Sequence, residues 1–446
     1  AILPAGSYLI TDAAGATVPS QQVAVPAGAT EGGAAVTFIA QGVPSYGYAT
    51  YYAVPDEGGA AQRPVTPAPA TWESKHYMVR FAAGGLQSIV DKDLKRELLK
   101  TDTFLGGEIF VMRSVGNGAG EFTSVQQPTM EGFDRLSTHA PVWRMEENGP
   151  VYAVFSMRQP LPTCTIVERV TVYHTVKCID MDVAILGWNG DRYREFRLAL
   201  PLAMTAPEIA YQVPMGTVRF RKDEMPGAAG FAYGTVDYSQ PNVDVRPREV
   251  QNFVTASDAS CGVTMSSDVA VVDFLDPTDH PVEGPVLQPI LLASRRSCHG
   301  LGNWYLQEGD HHYRFSITSH VPGSAVGQRQ AIGVNDPLIA VVQERRDAAA
   351  SLPAVHGFLS VSATNWGVTA LKKCDDDDTV VLRLYDMEGK DEEGTVRFMM
   401  PLSRVRAASI IEDDGAEVAH AGASIPLRIG HHAIETYKLY PGTPVR

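Results

Sequence analysis

The sequence has 446 residues, with 37 Lys and Arg against 51 Asp and Glu and a formal net charge of −14. That balance argues against nucleic acid or an anionic membrane as a partner, since both need a basic surface, and leaves neutral polyhydroxylated ligands open. With 44% hydrophobic and 20% charged residues the chain is globular, and it is too long for one ordinary core; 40 Gly and 30 Pro fit many strands joined by tight turns.

The opening AILPAGSYLITDAAG has no basic stretch followed by an apolar one, so no signal peptide is visible. It enters directly at a strand and does not begin with Met, as expected of a processed or truncated chain. No apolar run approaches the ~20 residues that span a bilayer, so a soluble protein is expected. AAVTFIA at 34–40 reads as a strand, and EGGAAQRPVTPAPATWES at 57–74 as an extended linker. YMVRF at 77–81 is a strand. GGLQSIVDKDLKRELL at 84–99 carries two signals: a strand from Leu86 to Val90 after a double glycine, and a helix start with Asp91 as cap and Leu94, Leu98 and Leu99 on one face.

VYAVFSM at 151–157 and the long run 164–186 alternate apolar and polar residues, and the latter is long enough for two strands. HHYRFSITSHV at 311–321 and DTVVLRLYDME at 378–388 continue the pattern. Helical periodicity is confined to short pieces such as AVVQERRDAAA at 340–350. RRDAAASLPAVHG at 345–357 reads as a second linker. The expectation is an all-β chain: a small β domain over 1–56, a central two-sheet supersandwich over 75–344, and a C-terminal β-sandwich over 358–446.

The cysteines, 164, 178, 261, 298 and 374, are odd in number and lack CxxC spacing, which points to neither a zinc cluster nor a disulfide framework. Cys164 and Cys178 flank a hairpin and could pair in an oxidising compartment, but buried free thiols are the preferred reading. The densest polar and aromatic cluster lies at 293–315, with Arg295, Arg296, His299, Trp304, Tyr305, Glu308, Asp310, His311 and His312. Aromatic faces and charged hydrogen-bonding groups suit a sugar, while the bland alternative is a polar loop between strands. As a metal motif the cluster lacks a third ligand at defined spacing.

CDDDDTVVLRLYD at 374–386 invites a calcium reading, but the EF-hand alternation and glycine are absent and a solvated turn is preferred. His431 and His432 open a strand-like segment and take the same bland reading. No GxSxG, HExxH, Walker A or Rossmann pattern appears, and spacing in a β protein picks out no facing carboxylate pair.

GGLQSIVDKDLKRELL resembles a recurring segment of glycoside hydrolase family 38, the α-mannosidases, where a strand of sense "G-x-SI-x-DK" leads into a "REL" turn. Other segments match in the family's order: GVPSYGYATYYAV at 42–54, VPMG at 213–216, REVQNFVTASDASCGVTM at 248–265, GDHHYRFSITSH at 309–320, NDPLIAV at 335–341, LRLYDMEGK at 382–390 and IETYKLYP at 434–441. The resemblance implies the C-terminal half of the family, with a galactose-mutarotase-like supersandwich, and makes 84–99 a structural strand and turn.

It also implies that the catalytic β/α barrel, with its zinc ligands, nucleophile and acid/base, lies upstream together with a helical bundle. These are the expected partners, along with an α-mannoside or other carbohydrate; oligomers are open. No catalytic residue or metal ligand is carried over, and no cofactor is expected in this chain; zinc belongs to the parent enzyme. Arg295 and Arg296 match an arginine of the family's "LLRS" or "RRL" segment, and with Trp304, Tyr305, Asp310 and His311 they form the expected pocket rim, where a guanidinium would orient an acidic side chain or bind hydroxyls. A stand-alone carbohydrate-binding or structural module, or a mutarotase-like isomerase, are the alternatives.

Overall fold

The computed structural model describes residues 1–25, 33–56, 64–113, 129–220, 222–224, 248–274, 284–296, 302–323, 325–344 and 352–442. Strands dominate throughout, and one α-helix, Ala325–Asn335, is present among the described residues. The fold is all-β. The chain divides into two compact units, one built from 62–213 and 218–338, the other from 1–61, 214–217 and 339–446. The small opening domain is therefore not separate from the C-terminal sandwich, as the sequence pattern had implied. Strand Gly47–Ala49 pairs with Val355–Gly357, and the Tyr48 hydroxyl donates to the Pro353 carbonyl at 2.7 Å.

The larger unit holds a ten-stranded and a six-stranded sheet. In the first, Gly262–Ser267, Gly309–His320, Ile179–Trp188, Thr165–Tyr173 and Tyr152–Pro160 are consecutive antiparallel neighbours. In the second, Glu108–Arg113, Arg194–Pro201 and Val286–Ala293 are the central strands. Alternation explains the layering. Ile166, Val170 and Val172 of one strand and Met181, Val183 and Ile185 of the next are buried, and they share a single apolar cluster with Ile109, Phe196, Leu198, Leu200 and Leu287 of the other sheet. The run 164–186 is thus the expected pair of strands, Thr165–Tyr173 and Ile179–Trp188.

Register also decides the cysteine question. Thr165 lies opposite Leu186 and Val172 opposite Ile179, so Cys164 and Cys178 sit at opposite ends of the hairpin. At about 3.3 Å per strand residue they are roughly 30 Å apart, far beyond the ~7 Å Cα limit for a disulfide. Both are free and buried, as are Cys261 and Cys374; Cys298 lies outside the described residues.

The segment 84–99 is a strand and turn. Tyr77–Ala82 and Gly85–Asp91 form a hairpin across Ala83 and Gly84, and Gly84 has a φ of +88°, a conformation that strains any residue with a Cβ. Asp91 does cap, but what it caps is a turn. Its Oδ1 accepts the amides of Asp93 at 2.8 Å and Leu94 at 2.9 Å. The left-handed φ of Lys95 then ends the turn, and Arg96–Glu97 returns as a strand on Gly85–Asp91.

Asp91 is fully buried, and its Oδ2 accepts the Ser319 hydroxyl at 2.5 Å and pairs with Lys177 at 2.9 Å. Tyr77 hydrogen-bonds Ser319 from the other side at 2.8 Å. Arg96 reaches Asp258 at 2.8 Å and the Ala203 carbonyl at 2.7 Å. The motif therefore ties the hairpin to three distant loops of the sandwich. Asp91→Ala removes four acceptor contacts at once and is expected to cost about 3 kcal/mol, while Asp91→Asn, which keeps the turn but loses the charge on Lys177, should cost less. Thermal midpoints of the two variants check the order.

The helix lies elsewhere than expected. Residues 340–344 are not helical and 345–351 lie outside the described residues. The observed helix, AVGQRQAIGVN, carries two glycines yet packs on the ten-stranded sheet, because a Cβ at Gly327 would sit 1.8 Å from Thr264 Oγ1. Tertiary contact outweighs propensity here. Beneath it the Thr255, Thr264 and His320 side chains form a buried hydrogen-bonded row, with contacts of 2.7 and 2.9 Å, and burial lowers the His320 pKa.

In the smaller unit, the sheet containing Val380–Asp386 and Ile434–Pro441 shares a core with strands Glu392–Phe398 and Ser424–Ile429. The acidic run 375–378 is a lysine-neutralised turn: Asp375 pairs with Lys372 at 2.8 Å, Asp378 with Lys373 at 2.8 Å, and Asp377 with Lys438 at 2.6 Å. His431 bonds Asp391 in the turn before the last strand.

Candidate functional site

The sequence-predicted residues converge on one end of the large sandwich. Arg295–Arg296 pairs with Trp304–Tyr305 as a two-stranded ribbon, with Arg295 opposite Tyr305 and Arg296 opposite Trp304. The ribbon leaves the six-stranded sheet after Val286–Ala293 and feeds Gly309–His320 of the ten-stranded one. Two turns close around it. The Trp188 indole donates to the Leu306 carbonyl at 2.7 Å, Gln307 donates to the Ala293 carbonyl at 2.8 Å, and Asp310 accepts the Gly187 amide at 2.6 Å. Tyr193 and Gln307 both have left-handed φ, of 60° and 54°, so each turn holds one non-glycine residue in a sparsely populated conformation.

The six residues are not equivalent. Arg295 bonds the carboxylate of the fully buried Glu195, so it orients an acidic side chain and is committed inside the fold. Glu195 also binds Arg197 at 2.6 Å, and Arg197, itself buried, reaches Asp273 at 2.9 Å and Gln288 at 3.0 Å. Burial pushes the Arg197 pKa down, but the two carboxylates outweigh it and the net shift is upward. Arg296 donates its Nε to the Gly302 carbonyl at 2.9 Å and lies 5.5 Å from the Trp304 ring centre. Tyr305 is 55% exposed.

Asp310 and His311 serve the turn: His311 Nε2 contacts the Gln307 carbonyl at 2.6 Å and its ring stacks on Tyr313. His299 lies outside the described residues. Two members of the site were not singled out from the sequence. Arg192 sits 4.6 Å over Trp304, and Tyr193 meets that indole edge-on at 5.2 Å. They lie more than a hundred residues upstream, and only sheet pairing brings them here; the DRYRE run they occupy carries no motif.

The arrangement offers aromatic surface and guanidinium donors, with no facing carboxylate pair. Glu108 and Glu168, whose charges interact in the core, are both fully buried and closed to substrate. Among the described residues no group of three His, Cys, Asp or Glu side chains could hold a metal ion, so they do not fit a zinc site.

Residues 72–271 match the "Glycosyl hydrolases family 38 C-terminal domain" and 365–437 the "Glycosyl hydrolases family 38 C-terminal beta sandwich domain", together more than half of the chain. The chain belongs to glycosyl hydrolase family 38 and carries its C-terminal domains.

Among solved structures, a family 38 protein from Enterococcus faecalis aligns with a TM-score of 0.71 at 15% identity, over 97% of this chain and 52% of its own. An alpha-mannosidase from Enterococcus faecalis V583 gives the same score, identity and coverage of this chain, over 51% of its own length. At that identity the likeness concerns the fold, and the chain spans about half the length of these relatives. Comparison with the curated proteins returns no match.

Proposed function

We propose that the chain is the β-rich C-terminal portion of a zinc-dependent, retaining α-mannosidase, buttressing an upstream catalytic barrel and lending its aromatic ribbon to the rim of the substrate pocket. The observation that carries this reading is the pair of family 38 matches, in order, on a fold that aligns with a solved alpha-mannosidase over nearly the whole chain. The groups that attack, protonate and coordinate zinc belong to the upstream region, and this chain alone is inactive. Its contribution is binding: the exposed Tyr305 offers a ring face to the C–H surface of a sugar, while Trp304 braces Arg296, whose terminal N–H donors are offered to hydroxyls.

Peptide mapping and intact mass of the native protein, with hydrolysis of 4-nitrophenyl α-mannoside, test the reading. A polypeptide bearing an upstream barrel should hydrolyse the substrate, lose activity to a chelator and regain it with zinc. In that protein Trp304→Ala should raise KM about fivefold, equivalent to ~1 kcal/mol, with kcat little changed. A source that makes only this chain, inactive with or without zinc, sinks the hydrolase reading. A stand-alone carbohydrate-binding role would then lead, tested by the tryptophan fluorescence response to mannose and mannobiose.

A further inference from the structure

Residues 337–344, PLIAVVQE, follow the helix Ala325–Asn335 and carry the chain from the larger unit into the smaller one. Connections between units are ordinarily polar or rich in Gly and Pro. This one puts four large aliphatic side chains into five residues, and all of them face solvent: Leu338 is 68% exposed, Ile339 89%, Val341 73% and Val342 48%.

The backbone is equally bare. Across 337–344 the chain runs without a turn or bend, and none of these residues makes a hydrogen bond among the described residues. A single exposed aliphatic residue is ordinary on a protein surface, but a contiguous apolar run with its backbone donors and acceptors open is a strand that lacks its sheet. Ile339, Val341 and Val342 are β-branched and favour that conformation. Such a segment binds by pairing its amides with an exposed edge while its side chains enter pockets.

Size decides what can cover it. At about 3.3 Å per residue the five apolar residues extend roughly 17 Å, the footprint of one strand, whereas a free partner or a second copy needs ~800 Å² on each side for a stable complex. A domain in the same polypeptide needs no such area, because the link already supplies a high effective concentration. The solved family 38 structures that share this fold have about as much chain again outside the aligned part: the alignment takes in 97% of this chain and 52% or 51% of theirs.

We propose that 338–342 is a docking strand for the upstream region of a family 38 polypeptide, packing its aliphatic side chains on that region's apolar surface and pairing its backbone there. The proposal rests on the upstream-barrel reading and names the contact through which the β-rich part is held.

Amide hydrogen exchange, read by mass spectrometry on peptides covering 338–344, tests it in two proteins: this chain alone and the native polypeptide of its source. In this chain the amides should exchange at the rate of an unstructured peptide. In a native polypeptide with an upstream barrel they should slow about a hundredfold, and Ile339→Asp combined with Val341→Asp should speed them again about tenfold. The same two substitutions, at exposed positions, should leave the thermal midpoint of this chain alone unchanged, which separates lost docking from a folding defect.

Fast exchange in a native polypeptide that hydrolyses the mannoside overturns the docking strand and leaves the hydrolase reading standing. Protection that survives both Asp substitutions overturns it too, since the aliphatic side chains then contribute nothing. So does protection already present in this chain alone: growth with concentration means that the occupant is a second copy, and its absence means that the segment is covered from within. A source that makes only this chain removes the occupant and the hydrolase reading together.

Discussion

Arg197→Met should lower the stability of the larger unit by about 3–5 kcal/mol, because it takes one cation from two carboxylates that water cannot reach. Glu195 and Asp273 are both essentially fully buried, and Arg197 bridges them. The attraction that holds such a group together roughly offsets the cost of dehydrating it, so the intact cluster contributes little net stability. Removing Arg197 leaves much of that dehydration cost uncompensated, although Arg295 still holds Glu195. In a urea series the loss appears as a lower midpoint with unchanged slope, and by heating as a fall of about 10 °C. Asp273→Asn in the Arg197→Met background should cost much less than in the wild type, since the charge it removes has already lost that cation. Additive losses would mean that the cluster is three independent contacts.

The second large effect is a pH dependence centred on Glu168. The side chain points with Ile166, Val170 and Val172 into the core, has no exposed surface, and neither carboxylate oxygen has a hydrogen-bond partner among the described residues. Burial, reinforced by the charge of Glu108, raises its pKa well above the usual value of 4.5. Glu108 itself is held by the Leu105 and Ser137 amides and by Arg135.

A raised carboxyl pKa means that the folded protein binds this proton more tightly than the unfolded chain. The stabilisation is therefore fully present below pH 4.5 and is lost as pH rises from there towards the folded value. The slope attributable to this one group reaches at most ~1.4 kcal/mol per pH unit. Glu168→Gln cannot ionise, so its melting temperature should match the wild type near pH 4 and exceed it increasingly at pH 7 and 8. Parallel curves for the two proteins would show that Glu168 carries no shifted proton.

Much of the architecture could be read from residue patterns, and the exceptions have specific causes. TIVERVTVY alternates so regularly that its strand and buried face follow from the sequence, although the same pattern places a glutamate among the valines without announcing it. The helix at Ala325–Asn335 was invisible because its decisive feature is a missing Cβ facing Thr264, a property of the partner strand. A disulfide between Cys164 and Cys178 looked open until register put a whole strand between them. At the candidate site, Arg296 and Trp304 stood out as a local cluster, whereas Arg192 and Tyr193 gave no signal because their place depends on pairing between distant segments.

That pairing has a consequence for how the protein is made. Strand Ile179–Trp188 finds its second neighbour only in Gly309–His320, which leaves the ribosome more than a hundred residues later. At the usual 5–20 residues per second, the earlier strands wait on the order of ten seconds with an open edge. Strand Gly47–Ala49 waits longer still, for Val355–Gly357. The nascent chain must spend that interval as an incomplete sheet, so newly made protein should depend on holding factors that mature protein no longer needs.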